Sequence, residues 1–337
     1  MSENLYPEGA VLLAPVAGHT DLPMRLICRE QGCRFAFTEM LDAGSLVFQT
    51  AKTLRMAVRS RQESFLGVQL VGSETETLAR AAEILNDMDF DVLDFNLGCP
   101  APKVARKTEG ISLALKRPDD ALRAVETLVR TSRLPVSVKT RIQSETDPER
   151  TVSFCRRLRD AGIAALTIHG RVMSAFYSGP VHYEIIGAVR EALADIPVIA
   201  NGGGLTPETY RTLLRGSGCS RGMIARGALG NPWIFRELTG GRPPRLSEFC
   251  TVLERHVDSM LELYGEEAGF PISRKTVLAY LRGRGFPGAL RASVSFLSSR
   301  DEFARFLEEV RKGPSPRYTE FLLERPDEVE RKLLPDL

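Results

Sequence analysis

The run Asp94-Phe95-Asn96-Leu97-Gly98-Cys99-Pro100, followed by Ala101-Pro102-Lys103-Val104, carries the residue best suited to chemistry. A cysteine in an arbitrary position is usually a small buried hydrophobe. Cys99 instead sits just past an apolar segment, with glycine before it and proline after it to fix a turn, so its thiol can reach a substrate. A second candidate is Asn201-Gly202-Gly203-Gly204 together with Arg226-Gly227. Glycine N–H groups and a guanidinium suit a phosphate, whereas a triple glycine alone can be a plain flexible turn. No metal site is expected: His19, His169, His182 and His256 lie far apart, and the six cysteines form no CxxC pair and no Cys/His quartet.

These residues need a scaffold that gathers the ends of separate segments. The chain has 337 residues, 43% of them hydrophobic and 26% charged, an ordinary globular balance that argues against disorder. Eight short apolar runs, at 11–18, 35–40, 64–72, 92–98, 135–142, 165–171, 196–203 and 222–229, alternate with stretches of helical length. Such runs predict β/α units and a parallel sheet, and eight of them within about 220 residues match a (β/α)8 TIM barrel. A doubly wound sheet holding a dinucleotide would show GxGxxG after an early strand, and none occurs. Polar residues collect at the C-terminal ends of the runs, where a barrel places its active site: His19, Glu39, Gln69, Asn96, Cys99, Lys139, Arg141, His169, Arg171, Asn201 and Arg226.

After Pro232 and Trp233 the pattern changes, and Gly240-Gly241-Arg242-Pro243-Pro244 reads as a linker. The expected division is a barrel over 1–239 and an all-helical domain with a C-terminal tail over 240–337. Helices are predicted at 246–264, 273–283 and 301–312, so Arg274 and Lys275 begin a helix and Arg282, seven residues on, shares a face with Lys275. The net charge of +2 provides no global pull towards nucleic acid or membrane, yet residues 268–300 hold Arg274, Lys275, Arg282, Arg284, Arg291 and Arg300 and no acid. With no stretch of eighteen apolar residues and no basic, apolar leader, a soluble cytoplasmic protein in a reducing compartment is expected.

The chain resembles the flavin-dependent tRNA-dihydrouridine synthases, most nearly the bacterial B-type subfamily. The resemblance runs from about residue 11 to 312 through Ala14-Pro15-Val16-Ala17-Gly18-His19-Thr20-Asp21, Asn96-Leu97-Gly98-Cys99-Pro100, Val138-Lys139-Thr140-Arg141, Ile168-His169-Gly170-Arg171, Ile199-Ala200-Asn201-Gly202 and Gly230-Asn231-Pro232-Trp233-Ile234-Phe235. It implies a monomer whose barrel holds FMN, with NADPH as reductant and tRNA lying across barrel and helical domain. The implied reaction reduces the carbon 5 to carbon 6 double bond of a uridine, hydride going to carbon 6 and the Cys99 thiol protonating carbon 5. A thiol with an ordinary pKa of about 8.5 can serve as that general acid.

The resemblance also assigns roles. Gln69 and Lys139 are implied at the flavin ring, His169 near ring or phosphate, and Pro15, Val16, Asn201, Gly202, Gly203, Ala225 and Arg226 among the FMN contacts. Asn96, Arg141 and Arg171 are implied near the target nucleotide. Lys103 and Arg106, with Lys107, lie in a loop that closes over it, and Arg274, Lys275 and Arg282 are expected to meet tRNA phosphates. Five positions depart from the family's usual residues: Val16 for Met, Val172 for Thr, Gly203 for Asp, Ala225 for Gly and Thr276 for His; the 107–118 loop is one residue longer than usual. Two other readings remain open at this stage, a flavin barrel reducing a free pyrimidine and a flavin-poor relative that only binds RNA.

Overall fold

Strands β1 (Val11–Leu13), β2 (Phe35–Asp42), β3 (Leu66–Val71), β4 (Val92–Leu97), β5 (Val136–Arg141), β6 (Ala165–His169), β7 (Val198–Asn201) and β8 (Gly222–Ile224) pair in parallel, each with the next. Pairing of Val11 with Gly222 and of Leu13 with Ile224 joins β8 back to β1 and closes the expected (β/α)8 barrel. The computed structural model describes residues 5–314; the tail expected at 315–337 lies outside them. Strands β3 and β4 are buried at every position, as strands covered on both faces must be.

The predicted first strand is longer than the observed one, for a local reason. Ala14 still donates to Ile224 O at 2.8 Å, but Pro15 has no N–H and the Val16 N–H turns to Thr20 Oγ1 at 2.8 Å. The ladder stops there, and Val16 to Thr20 becomes a loop at the barrel mouth. Helices begin where the sequence offers caps: Asp147 accepts from the Arg150 N–H, Ser299 accepts from the Glu302 N–H, and Pro118 and Pro148 stand in the first turns of theirs.

Packing divides the chain into two units. Among the described residues the first comprises 5–22, 33–204 and 208–225, the second Pro23–Gly32, Leu205–Pro207 and 226–314. The second unit has its own core, in which Trp233 is fully buried, stacked on Phe249 at 5.8 Å and edge-on to Tyr280 at 5.9 Å. Ile27, from the helix that follows β1 in the chain, joins this core. Arg284 closes it: its guanidinium lies over the Phe249 ring and donates to the carbonyls of Gly230 and Tyr280 and to Asn231 Oδ1.

The helix predicted at 273–283 is in fact Glu266–Leu281. Pro271 lies inside it, near its start, where the missing N–H forfeits a single bond while Phe270 and Val277 bury themselves in the core. Arg274 and Lys275 therefore sit mid-helix rather than at its beginning, and Arg282 is the cap residue, its ψ of 134° already extended. Arg274 donates twice to Leu297 O, at 3.0 and 2.9 Å, and Arg300 pairs with Asp258 and Glu266. Lys275, Arg282 and Arg291 make no ion pair among the described residues, so the basic window keeps three charges for solvent or a partner. No helix among the described residues is long and apolar enough to cross a membrane.

Trp233→Ala is expected to destabilise the second unit by about 3–5 kcal/mol, the usual cost of deleting a buried indole. Urea unfolding followed by circular dichroism measures it, and a midpoint equal to that of the unaltered chain would mean Trp233 is not the keystone of that core.

Candidate active site

Side chains two apart on a strand share a face, so Asp94 and Asn96 on β4 point the same way, as do Ser137 and Lys139 on β5. Register sets Gln69 beside Asp94 and Asp94 beside Ser137, with Asn96 beside Lys139 one step nearer the strand ends. Lys139 Nζ bonds Asn201 Oδ1 at 3.0 Å, from β5 to β7, and only inward-pointing side chains can reach past the intervening strand.

A continuous relay runs through these layers to Cys99. Asp94, 1% exposed, accepts from Ser137 Oγ at 2.6 Å and from Gln69 Nε2 at 2.7 Å. Gln69 Oε1 accepts from Asn96 Nδ2 at 2.8 Å. Asn96 Oδ1 then accepts the backbone N–H groups of Gly98 at 3.0 Å and Cys99 at 2.9 Å. On its other side the Cys99 carbonyl takes the Ile111 N–H at 3.3 Å, and Gly110, at φ 59°, passes so close that a Cβ there would stand 2.7 Å from that oxygen. The main chain of Cys99 is thus held from both directions.

Cys99 is the only one of the six cysteines that is not buried. Enclosure still pushes its thiol up from the usual range, against the pull of the Ala101 N–H, Arg141 and Lys139, so it keeps its proton at neutral pH. Burial acts on Lys139 in the opposite sense. Desolvation, then the neighbouring Arg141, lowers its pKa to about 8, with Asp94 and Cys99 pulling back.

Arg141 and Arg171 are structural ties as well as charges. Arg141 Nε donates to Gly98 O at 2.8 Å and Nη1 to Phe176 O at 2.7 Å, while its guanidinium lies 5.4 Å from the centre of the Tyr177 ring. Arg171 Nε donates to Gly179 O at 3.0 Å, and Nη1 stands 3.4 Å from His169 Nε2. Together they strap the 172–179 loop over the C-terminal ends of β5 and β6. Gly202, at φ 118°, follows β7 so near the His169 ring that a Cβ would meet Cδ2 at 2.8 Å, and Gly203 also has a left-handed φ of 73°. Asn201 Nδ2 fixes the end of β7 by donating to Met223 O at 2.8 Å.

Of the remaining expected residues, Pro15 and Val16 line the loop after β1, which Glu39 holds by accepting the Gly18 N–H. Lys103 and Arg106 are exposed on the short helix Pro102–Arg106, and Lys107 beside them pairs with Asp42 at 2.8 Å. Ala225 ends the barrel unit; Arg226 opens the second unit, which also holds Arg274, Lys275 and Arg282. Asp94, Ser137 and Gly110 were not singled out from the sequence. An acid in an otherwise apolar strand, two residues before a polar partner, is the signal that could have found Asp94. No cluster of three or more His, Cys, Asp or Glu among the described residues could hold a metal ion.

The model of the dihydrouridine synthase family matches residues 12–313. The chain belongs to this family. It is 35% identical to tRNA-dihydrouridine synthase B of Pasteurella multocida over 280 residues, 81% of this chain and 84% of that protein. It is also 35% identical to tRNA-dihydrouridine synthase B of Vibrio cholerae over 312 residues, 90% and 96% of the two chains. Among solved structures, the histamine dehydrogenase from Rhizobium sp. 4-9 shares the fold at TM-score 0.55 and 12% identity, over 90% of this chain and 62% of that one. This dihydrouridine synthase is an oxidoreductase built on a TIM barrel, with the relay from Asp94 to Cys99 at the barrel's C-terminal end.

The lowered pKa of Lys139 has a definite sign in stability. Between about pH 8 and the ordinary lysine range the unfolded chain holds a proton that the folded chain has lost, so stability rises with pH there. Below that window the fold carries the cost of a confined charge. Lys139→Met is therefore expected to stabilise the ligand-free protein at neutral pH by about 1–3 kcal/mol, a gain that shrinks to nothing towards about pH 10.5. Urea titrations at the two pH values test this, and a constant difference between variant and parent would exclude the shift.

Proposed function

We propose that this chain reduces the carbon 5 to carbon 6 double bond of specific uridines in tRNA, with FMN at the barrel mouth and NADPH as electron source. The observation that carries the reading is Cys99: one accessible thiol among six, held protonated by its surroundings and fixed by its own backbone at the strand ends. Membership of the dihydrouridine synthase family supplies the reaction, and the relatives named for tRNA supply the substrate.

The residues present fit FMN. Gly202 and Gly203 leave the turn after β7 without side chains and at positive φ, which suits main-chain N–H groups to a phosphate. Arg226 adds a guanidinium after β8, Lys139 and His169 would meet the ring with the Pro15–Val16 and Ala225 segments, and Gln69, fully buried, would stand beneath it. FMN bound there and re-reduced by NADPH would supply the hydride for carbon 6. Cys99 Sγ holds the proton for carbon 5, and solvent restores it afterwards. Lys139 would place a positive charge beside the ring, where it favours the anionic reduced flavin, and Asn96 and Arg171 would orient the nucleotide. Phosphates away from the reacting base meet Lys103 and Arg106, and on the helical domain over 240–337 they meet Lys275 and Arg282, with Arg274 anchoring that surface through Leu297. The enzyme works as a monomer in the cytoplasm.

Cys99→Ala is expected to retain FMN and to oxidise NADPH, while dihydrouridine formation in tRNA falls by about 10² to 10⁴, the range for loss of a general acid. Nucleoside analysis of treated tRNA measures it. Full dihydrouridine formation by the variant removes Cys99 from the chemistry, and loss of flavin makes the residue structural.

Lys275→Ala with Arg282→Ala is expected to weaken tRNA binding and flatten its salt dependence, by up to about 0.9 in log–log slope for each phosphate that is no longer neutralised. NADPH oxidation without tRNA should not change. Superimposable salt series would exclude this face as an RNA surface, and an enzyme that reduces free uracil as readily as tRNA would favour the free-pyrimidine reading.

A further inference from the structure

We propose that Asp94 is a positioning residue: by accepting from Gln69 it sets the direction of every hydrogen bond between itself and Cys99, and so fixes where the Cys99 thiol stands. The inference rests on reading Cys99 as the proton donor, but its structural part can be tested without that reaction.

Donor and acceptor sense runs one way along the relay. Burial pushes the Asp94 carboxyl up from its usual range, yet towards Gln69 Nε2, which can only donate, it must accept, and Ser137 Oγ is its second donor. With its nitrogen committed to Asp94, Gln69 turns Oε1 towards Asn96, and an oxygen that accepts obliges Asn96 to present Nδ2. That leaves Asn96 Oδ1 facing the N–H groups of Gly98 and Cys99, which can only donate. The relay thus has an acceptor-only end and a donor-only end. Between them stand two amides with a single consistent orientation. Turning either amide over sets oxygen against oxygen or N–H against N–H at its junctions, leaving buried polar groups unsatisfied. The junctions succeed or fail together, because each amide's sense depends on its neighbour's.

The relay also settles what faces a ligand. Both lone pairs of Asn96 Oδ1 are engaged, so Asn96 has an N–H to offer and no acceptor, while Gln69 is fully buried behind it. This side of the mouth suits a ligand carbonyl rather than an amino group.

What the relay needs from position 94 is an acceptor aimed at Gln69, not a charge. Asp94→Asn can provide one, since Asn keeps Oδ1 on Gln69 by turning its nitrogen to Ser137 Oγ, which has lone pairs to receive it. Asp94→Leu cannot. Gln69→Met cuts the relay one step later while leaving Asp94 with Ser137.

The test compares the three variants with the parent as FMN-loaded full chains, reading alkylation of Cys99 by iodoacetamide across pH through peptide mass spectrometry. The other five cysteines are buried, so the signal belongs to Cys99. Asp94→Asn is expected to follow the parent. Asp94→Leu and Gln69→Met should alkylate at least about fivefold faster near neutral pH, with the midpoint moved down, because a loosened thiol regains water and its ordinary acidity. Dihydrouridine formation should fall in the same two variants, through kcat rather than KM. Parent-like alkylation in Asp94→Leu and Gln69→Met overturns the proposal, as does Asp94→Asn behaving like Asp94→Leu, which would make charge the requirement. Should Asp94→Leu fail to fold, Gln69→Met against Asp94→Asn carries the same comparison. Failure of the parent to form dihydrouridine in tRNA would count against the enzymatic reading alone and leave the alkylation comparison standing.

Discussion

Water does not reach the middle of a closed eight-stranded barrel, so every polar side chain that points inward must be satisfied by another side chain or by the main chain. Asp94 poses the hardest case, a carboxylate in contact with almost no solvent. Its two donors come from the neighbouring strands β3 and β5, and the parallel register that sets Gln69 and Ser137 beside it is what makes them available. Once the Gln69 nitrogen is committed to Asp94, its oxygen is left to accept from Asn96, which holds the Cys99 turn. The satisfaction of one buried acid thereby holds the turn that carries Cys99. Lys139, Asn201 and the Met223 carbonyl repeat the logic on the other side of the barrel.

Enclosure also explains the opposite displacements of the two reactive groups. Desolvation disfavours whichever form is charged, so it raises an acid such as the Cys99 thiol and lowers a base such as the Lys139 ammonium. The site consequently holds a thiol that keeps its proton beside an amine that gives its proton up more easily than usual. The first property is the one that the proposed role of Cys99 requires. The second carries a stability cost, typical of sites where function and folding make competing demands.

Arginines in this chain are divided between holding the fold and facing outward. Arg141 and Arg171 strap a loop by donating to main-chain carbonyls, Arg284 closes an aromatic core, and Arg274 anchors the segment around Leu297. A guanidinium has several donors in a fixed fork and can satisfy carbonyls that a lysine could not reach together. The acid-free window at 268–300 is therefore less basic at its surface than its composition indicates. Its outward charge lies with Lys275, Arg282 and Arg291.

The sequence by itself determined the barrel, because eight apolar runs with helix-length spacing leave few architectures, and it marked Cys99, Lys139, His169 and the glycine turn by their place at strand ends. It also marked the helix at 246–264, whose periodicity is uninterrupted. It misjudged the next helix because a proline reads locally as a stop, whereas burial of Phe270 and Val277 in the second core outweighs one lost hydrogen bond. Only the tertiary structure decided that Asp94 faces Gln69, that Arg141 spans from Gly98 to Phe176, and that the helix after β1 packs with the second unit. Each of these joins residues distant in the chain, and strand register and helix packing, which bring them together, depend on all the elements at once.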